Sequence, residues 1–253
     1  MSCILCGVDT YSEIGKRSGF SIVKCSSCGL VYATPRPEES QLIEFYQKLT
    51  PSPRKYGDAK RFIRRLKYRY ILSKIKGYFP PGKQIRLLEI GCSQGHLLDA
   101  AKGDKQIVAT GIDLDGVELE FARSKGLKVV VGTLQSVKFP AESFDAIVAI
   151  HVIEHLYSPV DTLSEVNRIL SPGGILFSIM PCVAHIKARL AGIKWKYYTP
   201  PGHLWFFSPK TFSLLLQKTG FQSVFSSCFY NRAHLRSVGK KCPGSHCLSP
   251  TRR

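Results

Sequence analysis

Between residues 85 and 229, short apolar runs of strand length alternate with stretches whose apolar residues recur at helical spacing. IRLLEIGCSQGHLL (85–98) is a buried-strand run, a glycine-bearing turn and the start of a helix, and IVATGIDLD (107–115) is a second strand. VELEFARSKG reads as a helix, KVVVGTL as a third strand, and SFDAIVAIHVIEHL as a fourth strand running into a helix. DTLSEVNRIL is helical, PGGILFSIMP is a turn and fifth strand, SPKTFSLLLQKTG is another helix, and FQSVFSSCF is a sixth strand. Strands separated by helices close as a mostly parallel sheet with right-handed crossovers and helices on both faces. Ligands then sit at the C-terminal edges of the strands. The remaining NRAHLRSVGKKCPGSHCLSPTRR offers no apolar run for a seventh strand. Residues 231–253 therefore read as a basic, disordered tail beside an open sheet edge.

The N-terminus carries a second constraint. Cys3, Cys6, Cys25 and Cys28 form C-x2-C, eighteen residues, C-x2-C, and Gly7 and Gly29 follow the two pairs. Each pair places two thiolates on one tight turn, and two such knuckles complete a closed tetrahedral site. A site with no open position is structural, and a fragment this small needs the metal's binding energy to fold. Residues 1–50 are thus expected to be a zinc-ribbon-like module with its linker. The start, MSCILCG, has neither a basic n-region nor an apolar h-region. A reducing cytoplasm is the expected compartment, in which nine cysteines suggest metal ligands before disulfides.

The formal charge of +18 is unevenly spread. Residues 51–80 hold ten Lys and Arg against Asp58 alone, and Glu165 is the last acidic residue in the chain. Such a field favours an anionic partner. In DAKRFIRRLKYRYILSKIKGYF, Phe62, Leu66 and Tyr70 recur at i, i+4 and i+8, with Ile63, Ile71 and Ile75 widening the stripe. The segment is expected to be a helix packed through that stripe, with Arg61, Arg64, Arg65, Lys67 and Arg69 on the remainder. No uninterrupted apolar run reaches the roughly 18 residues of a membrane span, and the apolar content excludes a wholly disordered chain.

LLEIGCSQG, GIDLD, SFDAIVAIHVIEHL and LSPGGILFSIMP, in that order, resemble the signature motifs of class I S-adenosylmethionine-dependent methyltransferases. The cysteine knuckles with GLVYATPRP, and PGHLWFFSPKTFSLLLQKTGF, are similar to a bacterial branch with a zinc-binding N-terminus, which includes C-methyltransferases of nucleotide-linked sugars. The resemblance implies a Rossmann-like α/β fold over 51–230, with residues 182–207 as a substrate lid. It also implies a set of cofactor contacts. Glu89, Gly91, Cys92, Ser93 and Gly95 would surround the methionine part of S-adenosyl-L-methionine, and Asp113 would hold the ribose hydroxyls. Thr133 and Leu134 would flank the adenine, and His151 would line the methionine end. Ser93 stands where the family has a second loop glycine and fits if its φ is negative. Thr133 replaces an acid, and its hydroxyl is expected to accept from the adenine amino group.

Methyl transfer needs in-line positioning and, for an oxygen or acidic carbon, a base. His203, His151, His155 and Glu154 are the candidates, with Tyr197 and Tyr198 behind them, and His203 ranks first because it lies in the lid connection. In HVIEHL the two histidines stand at i, i+4, expected on one helical face. That spacing also suits a metal, but no third ligand is evident in the sequence. Lys187, Arg189, Lys194 and Lys196, interleaved with Trp195, Trp205 and the tyrosines, suit an anionic small molecule such as a nucleotide-sugar or another phosphorylated or acidic metabolite. RNA is the rival substrate, since some RNA base methyltransferases join a zinc module to this fold and the charge suits phosphates. A non-catalytic, zinc-bearing interaction protein is the third reading.

Overall fold

The computed structural model describes residues 2–49, 58–228 and 233–242. In chain order the strands and helices are β1 (Tyr11–Arg17), β2 (Phe20–Cys25), β3 (Val31–Thr34), α1 (Glu39–Leu49), α2 (Asp58–Lys76), β4 (Ile85–Ile90), α3 (His96–Ala101), β5 (Ile107–Asp113), α4 (Gly116–Ser124), β6 (Val129–Val131), α5 (Leu134–Val137), β7 (Phe144–Ile150), α6 (Pro159–Ile169), β8 (Leu170–Pro181), α7 (Ile186–Ala191), β9 (Trp205–Phe206), α8 (Pro209–Lys218), β10 (Phe221–Cys228) and β11 (His234–Lys241). A 3-10 turn, Ile153–His155, follows β7.

The larger sheet has the order β10-β11-β8-β7-β4-β5-β6. Strands β6, β5, β4, β7 and β8 run parallel, and β11 is antiparallel to both of its neighbours. Strand β7 lies near the middle, and six of its seven residues are buried. This is why FDAIVAI reads as one apolar run, since helices cover both faces of a parallel sheet. Local signals set the helix starts. The Ser158 side chain caps α6 ahead of Pro159, and Ser208 forms a capping box with Thr211 at the start of α8.

The seventh strand, expected to be missing, is β11, so residues 234–241 of the supposed tail are ordered sheet. Residues 243–253 lie outside the described residues. Strand β11 needs little apolar content because it lies between β8 and β10, which pair its backbone on both sides. Ser237 is fully buried and its Oγ donates to the Phe225 carbonyl. At Gly239 an added Cβ would lie 2.9 Å from Leu216 Cδ2 of α8, so a larger residue would have to displace that side chain.

Two further expectations are corrected. Phe62, Ile63, Leu66 and Tyr70 are each at least half exposed, and α2 packs instead through Ile71, Leu72 and Ile75. The stripe divides because only the C-terminal part of the helix meets the sheet core. Cys182 and Cys228 are joined by a disulfide with their Cα atoms 6.1 Å apart, and Cys242 is also disulfide-bonded. The ends of β8 and β10 bring the first pair together across β11.

The smaller sheet has the order β1-β2-β3-β9, so its last strand comes from the chain beyond β8. Val31 pairs with Phe206 and Tyr32 with Trp205. Arg36 lies 4.9 Å from the centre of the Trp205 ring, and Trp205 Nε1 donates to the Leu156 carbonyl. The cysteine-bearing segment and the chain around Trp205 thus share one apolar core.

Candidate functional site

The turn after β4 is built for close approach. Gly91 (φ +69°) and Gly95 (φ +68°) take left-handed conformations, and an added Cβ would lie 2.6 Å from Val152 at Gly91 and 2.5 Å from Leu127 at Gly95. Ser93 departs from expectation, because its φ is +47°, which strains a residue carrying a Cβ. The strain is offset by two bonds. The Ser93 N–H donates to Asp113 Oδ2 at 2.8 Å, and its Oγ donates to Glu118 Oε2 at 3.0 Å.

Asp113, at the tip of β5, also accepts the Asp115 N–H through Oδ1. Each of its oxygens keeps a second acceptor site for a ligand hydroxyl. Glu89 is 5% exposed, and its Oε2 has no hydrogen-bond partner among the described residues. Burial, reinforced by the Asp113 charge, pushes the Glu89 carboxyl well above its ordinary range, and burial also raises Asp113. Cys92 is buried against Gly111, where a Cβ would meet its sulfur at 2.5 Å. An orphaned acidic acceptor beside a glycine cradle fits the cationic methionine end of S-adenosyl-L-methionine.

The Thr133 hydroxyl accepts the Ser136 N–H in a capping box at the start of α5, and its oxygen keeps a second acceptor site. Leu134 is buried beside it.

At the end of β7, His151 takes φ +56° and its N–H donates to the Ile179 carbonyl on β8. The turn that follows is a single 3-10 turn, so His151 and His155 do not share a helical face. Glu154 lies between them, 1% exposed, with Oε1 3.3 Å from His151 Nδ1 and with Oε2 unpartnered among the described residues. Burial opposes its ionisation, yet the hydrogen bond and the charges of His151 and His155 hold its carboxyl below the ordinary range. His155 Nδ1 lies 2.8 Å from the Gly202 carbonyl, and His203 Nδ1 lies 2.8 Å from the Tyr197 carbonyl. The two rings meet edge to face at 4.5 Å. Burial, with the neighbouring His155, holds His203 below the usual imidazole range and therefore neutral.

Sequence reasoning missed His234. Its ring lies 4.8 Å from that of His151, and its Nε2 lies 2.8 Å from Tyr197 Oη. Tyr197 in turn stacks on His203. No local signal marks His234, since it stands at the first position of a strand that the sequence does not announce. Tyr197 and His234, together with Lys187, Lys194, Trp195 and Lys196, line a cavity of about 520 Å³. Tyr198 is buried away from it, with its hydroxyl pushed up to about 12 by burial.

The four N-terminal cysteines converge. Cys3 Sγ is 3.5 Å from Cys28 Sγ, Cys6 Sγ is 3.5 Å from Cys25 Sγ, and all four sulfurs lie within 4.8 Å of one another. A tetrahedron of thiolates around zinc has edges of about 3.8 Å, so the donor set fits that ion.

The seven-stranded sheet order, the glycine turn after β4 and the acid at the tip of β5 define a class I S-adenosylmethionine-dependent methyltransferase fold. Known proteins agree. A family model described as "Methyltransferase domain" matches residues 60–225. Fatty-acid O-methyltransferase of Mycolicibacterium smegmatis is 37% identical over 95 residues, spanning 35% of this chain and 34% of that protein. Probable tRNA methyltransferase 9B of Mus musculus is 35% identical over 91 residues, spanning 35% of this chain and 20% of that protein. The chain thus spans about a third and a fifth of these curated relatives. A SAM-dependent methyltransferase structure from Archaeoglobus fulgidus matches in fold with TM-score 0.59 at 18% identity, covering 81% of this chain and all of that one. The chain belongs to the methyltransferase-domain family.

Proposed function

We propose that the chain transfers the methyl group of S-adenosyl-L-methionine to an oxygen or carbon of an anionic small molecule, such as a nucleotide-sugar or another phosphorylated or acidic metabolite. One observation carries the substrate class. The 520 Å³ cavity brings Lys187, Lys194 and Lys196 together with Tyr197 and His234, and these last two contact the imidazole cluster. Three ammonium groups beside aromatic rings suit a phosphate or carboxylate attached to an apolar or planar body.

The cofactor supplies a methyl group already activated by its sulfonium. Glu89, Gly91, Cys92, Ser93 and Gly95 hold its methionine end, Asp113 its ribose, and Leu134 its adenine, with Thr133 fixing the helix behind. His151, Glu154, His155 and His203 form the proton-handling group. Neutral His203, with Nδ1 committed to the Tyr197 carbonyl, has Nε2 available as the accepting atom. Residues 182–207 act as the lid. Zinc on Cys3, Cys6, Cys25 and Cys28 is structural and supports the lid through the pairing of β3 with β9.

The test is transfer of labelled methyl from S-adenosyl-L-methionine to panels of nucleoside diphosphate sugars, phosphorylated metabolites and carboxylic acids, alongside total RNA. Label on a small anion supports the proposal. Label on RNA, with binding that falls steeply with salt, would replace it with the nucleic-acid reading.

A further inference from the structure

The cluster beyond β7 holds more than a base. Glu154, His155 and His203 each offer one ligand atom, and those three atoms lie within 4.8 Å of one another. The carboxylate is almost wholly buried, and its Oε2 has no hydrogen-bond partner among the described residues. A buried, unsatisfied carboxylate oxygen is costly unless a cation or a donor completes it. Each imidazole has Nδ1 against a main-chain carbonyl, His155 against Gly202 and His203 against Tyr197. A carbonyl can only accept, so each Nδ1 carries a proton, which leaves Nε2 as the nitrogen each ring can offer to an ion. Backbone carbonyls that fix the tautomer in this way are the usual outer shell of metal-ligating histidines.

We infer that Glu154, His155 and His203 form a second metal site, distinct from the four cysteines, which takes a divalent first-row transition ion through two imidazoles and one carboxylate. Two nitrogens and one carboxylate oxygen suit such an ion and leave coordination positions open. The site stands at the C-terminal end of the parallel sheet, where His203 stacks against Tyr197 of the basic cavity. An oxygen of the acceptor can fill an open position, which would orient it and lower its pKa. That role rests on the methyl-transfer reading, whereas the binding of the ion does not. With the His203 Nε2 lone pair given to the ion, proton acceptance passes from His203 to its neighbour His151: during transfer the acceptor O–H bond breaks and the proton goes to the His151 ring. An oxygen lone pair forms the new O–CH3 bond, and the S–CH3 bonding pair returns to sulfur as a neutral thioether.

The test is a cobalt(II) titration of the full chain loaded with one equivalent of zinc, enough for the four cysteines alone, read by equilibrium dialysis and visible absorption. One equivalent of cobalt is expected beyond the zinc, with d–d bands but without thiolate-to-metal charge transfer. Glu154→Gln and His203→Ala should each weaken this binding by at least about tenfold, while S-adenosyl-L-methionine affinity, measured in parallel, reports that the fold is intact. If either variant does not fold, proton NMR of the cobalt-loaded wild type decides: two exchangeable, hyperfine-shifted imidazole N–H signals support the site. Failure to bind cobalt, or binding unchanged by both substitutions, would overturn it. Cobalt binding without any cofactor affinity would count against the methyltransferase reading and leave the metal site standing.

Discussion

Tyr197 Oη lies 2.8 Å from His234 Nε2, and this contact joins the segment after α7 to the first residue of β11. Through Tyr197 stacked on His203, and His234 against His151, it ties the basic cavity to the end of β7. Tyr197→Phe removes the hydrogen bond and keeps the ring. A neutral hydrogen bond contributes about 1 kcal/mol, so turnover is expected to fall about fivefold with cofactor affinity retained. Steady-state kinetics beside isothermal titration checks this.

His203→Ala should cut turnover by about a hundredfold or more, the usual contribution of a positioned proton-transfer group, while S-adenosyl-L-methionine binds nearly as before. Equal losses in turnover and cofactor affinity would refute a role in chemistry.

At Gly91 an alanine meets two obstacles, a left-handed backbone and a Cβ 2.6 Å from Val152 Cγ2. The backbone term alone costs about 1–2 kcal/mol. Gly91→Ala is expected to weaken cofactor binding more than tenfold and to lower the melting temperature, as calorimetry and titration would show.

Removing metal from the four-cysteine site should loosen more than the N-terminal segment, because among the described residues β9 has β3 as its strand partner. After chelation, limited proteolysis is expected to cut between Ile186 and Trp205. The melting temperature should drop by about 10 °C or more, at about 2–4 °C per kcal/mol for a chain of this size. Cleavage that is unchanged by chelation would separate the two segments.

Asp145 gives a signed pH dependence. Burial would raise its carboxyl, but Arg86 and Lys83 outweigh burial and hold it below the ordinary range. A depressed folded pKa contributes stability above the unfolded value, about 3.9. That contribution is lost as pH falls through the lower folded value. Asp145→Asn should therefore destabilise the chain near neutrality and flatten its acid unfolding profile, measured by denaturation at stepped pH.

Much of the glycine turn after β4 was legible because its signal is local. Gly91 and Gly95 must turn where a strand gives way to a helix, and Asp113 follows at the tip of the next strand. The four cysteines were legible for the same reason, since each knuckle is a short-range unit. What the sequence misjudged depends on neighbours. Ser93 takes a positive φ because Asp113 and Glu118 receive its N–H and hydroxyl.

The sequence by itself thus determined the alternating architecture, the glycine turn after β4 and the cysteine cluster, all carried by periodicity and short spacing. Only the tertiary structure decided the rest. Strand β11 exists because two neighbours satisfy its backbone, so Ser237 and Gly239 suffice where an isolated strand would need apolar side chains. Glu154, His155 and His203 meet, and His234 reaches His151 and Tyr197, because strand ends and the segment after β8 converge in space, and residues far apart in the chain carry no mark of that meeting until the sheet is assembled.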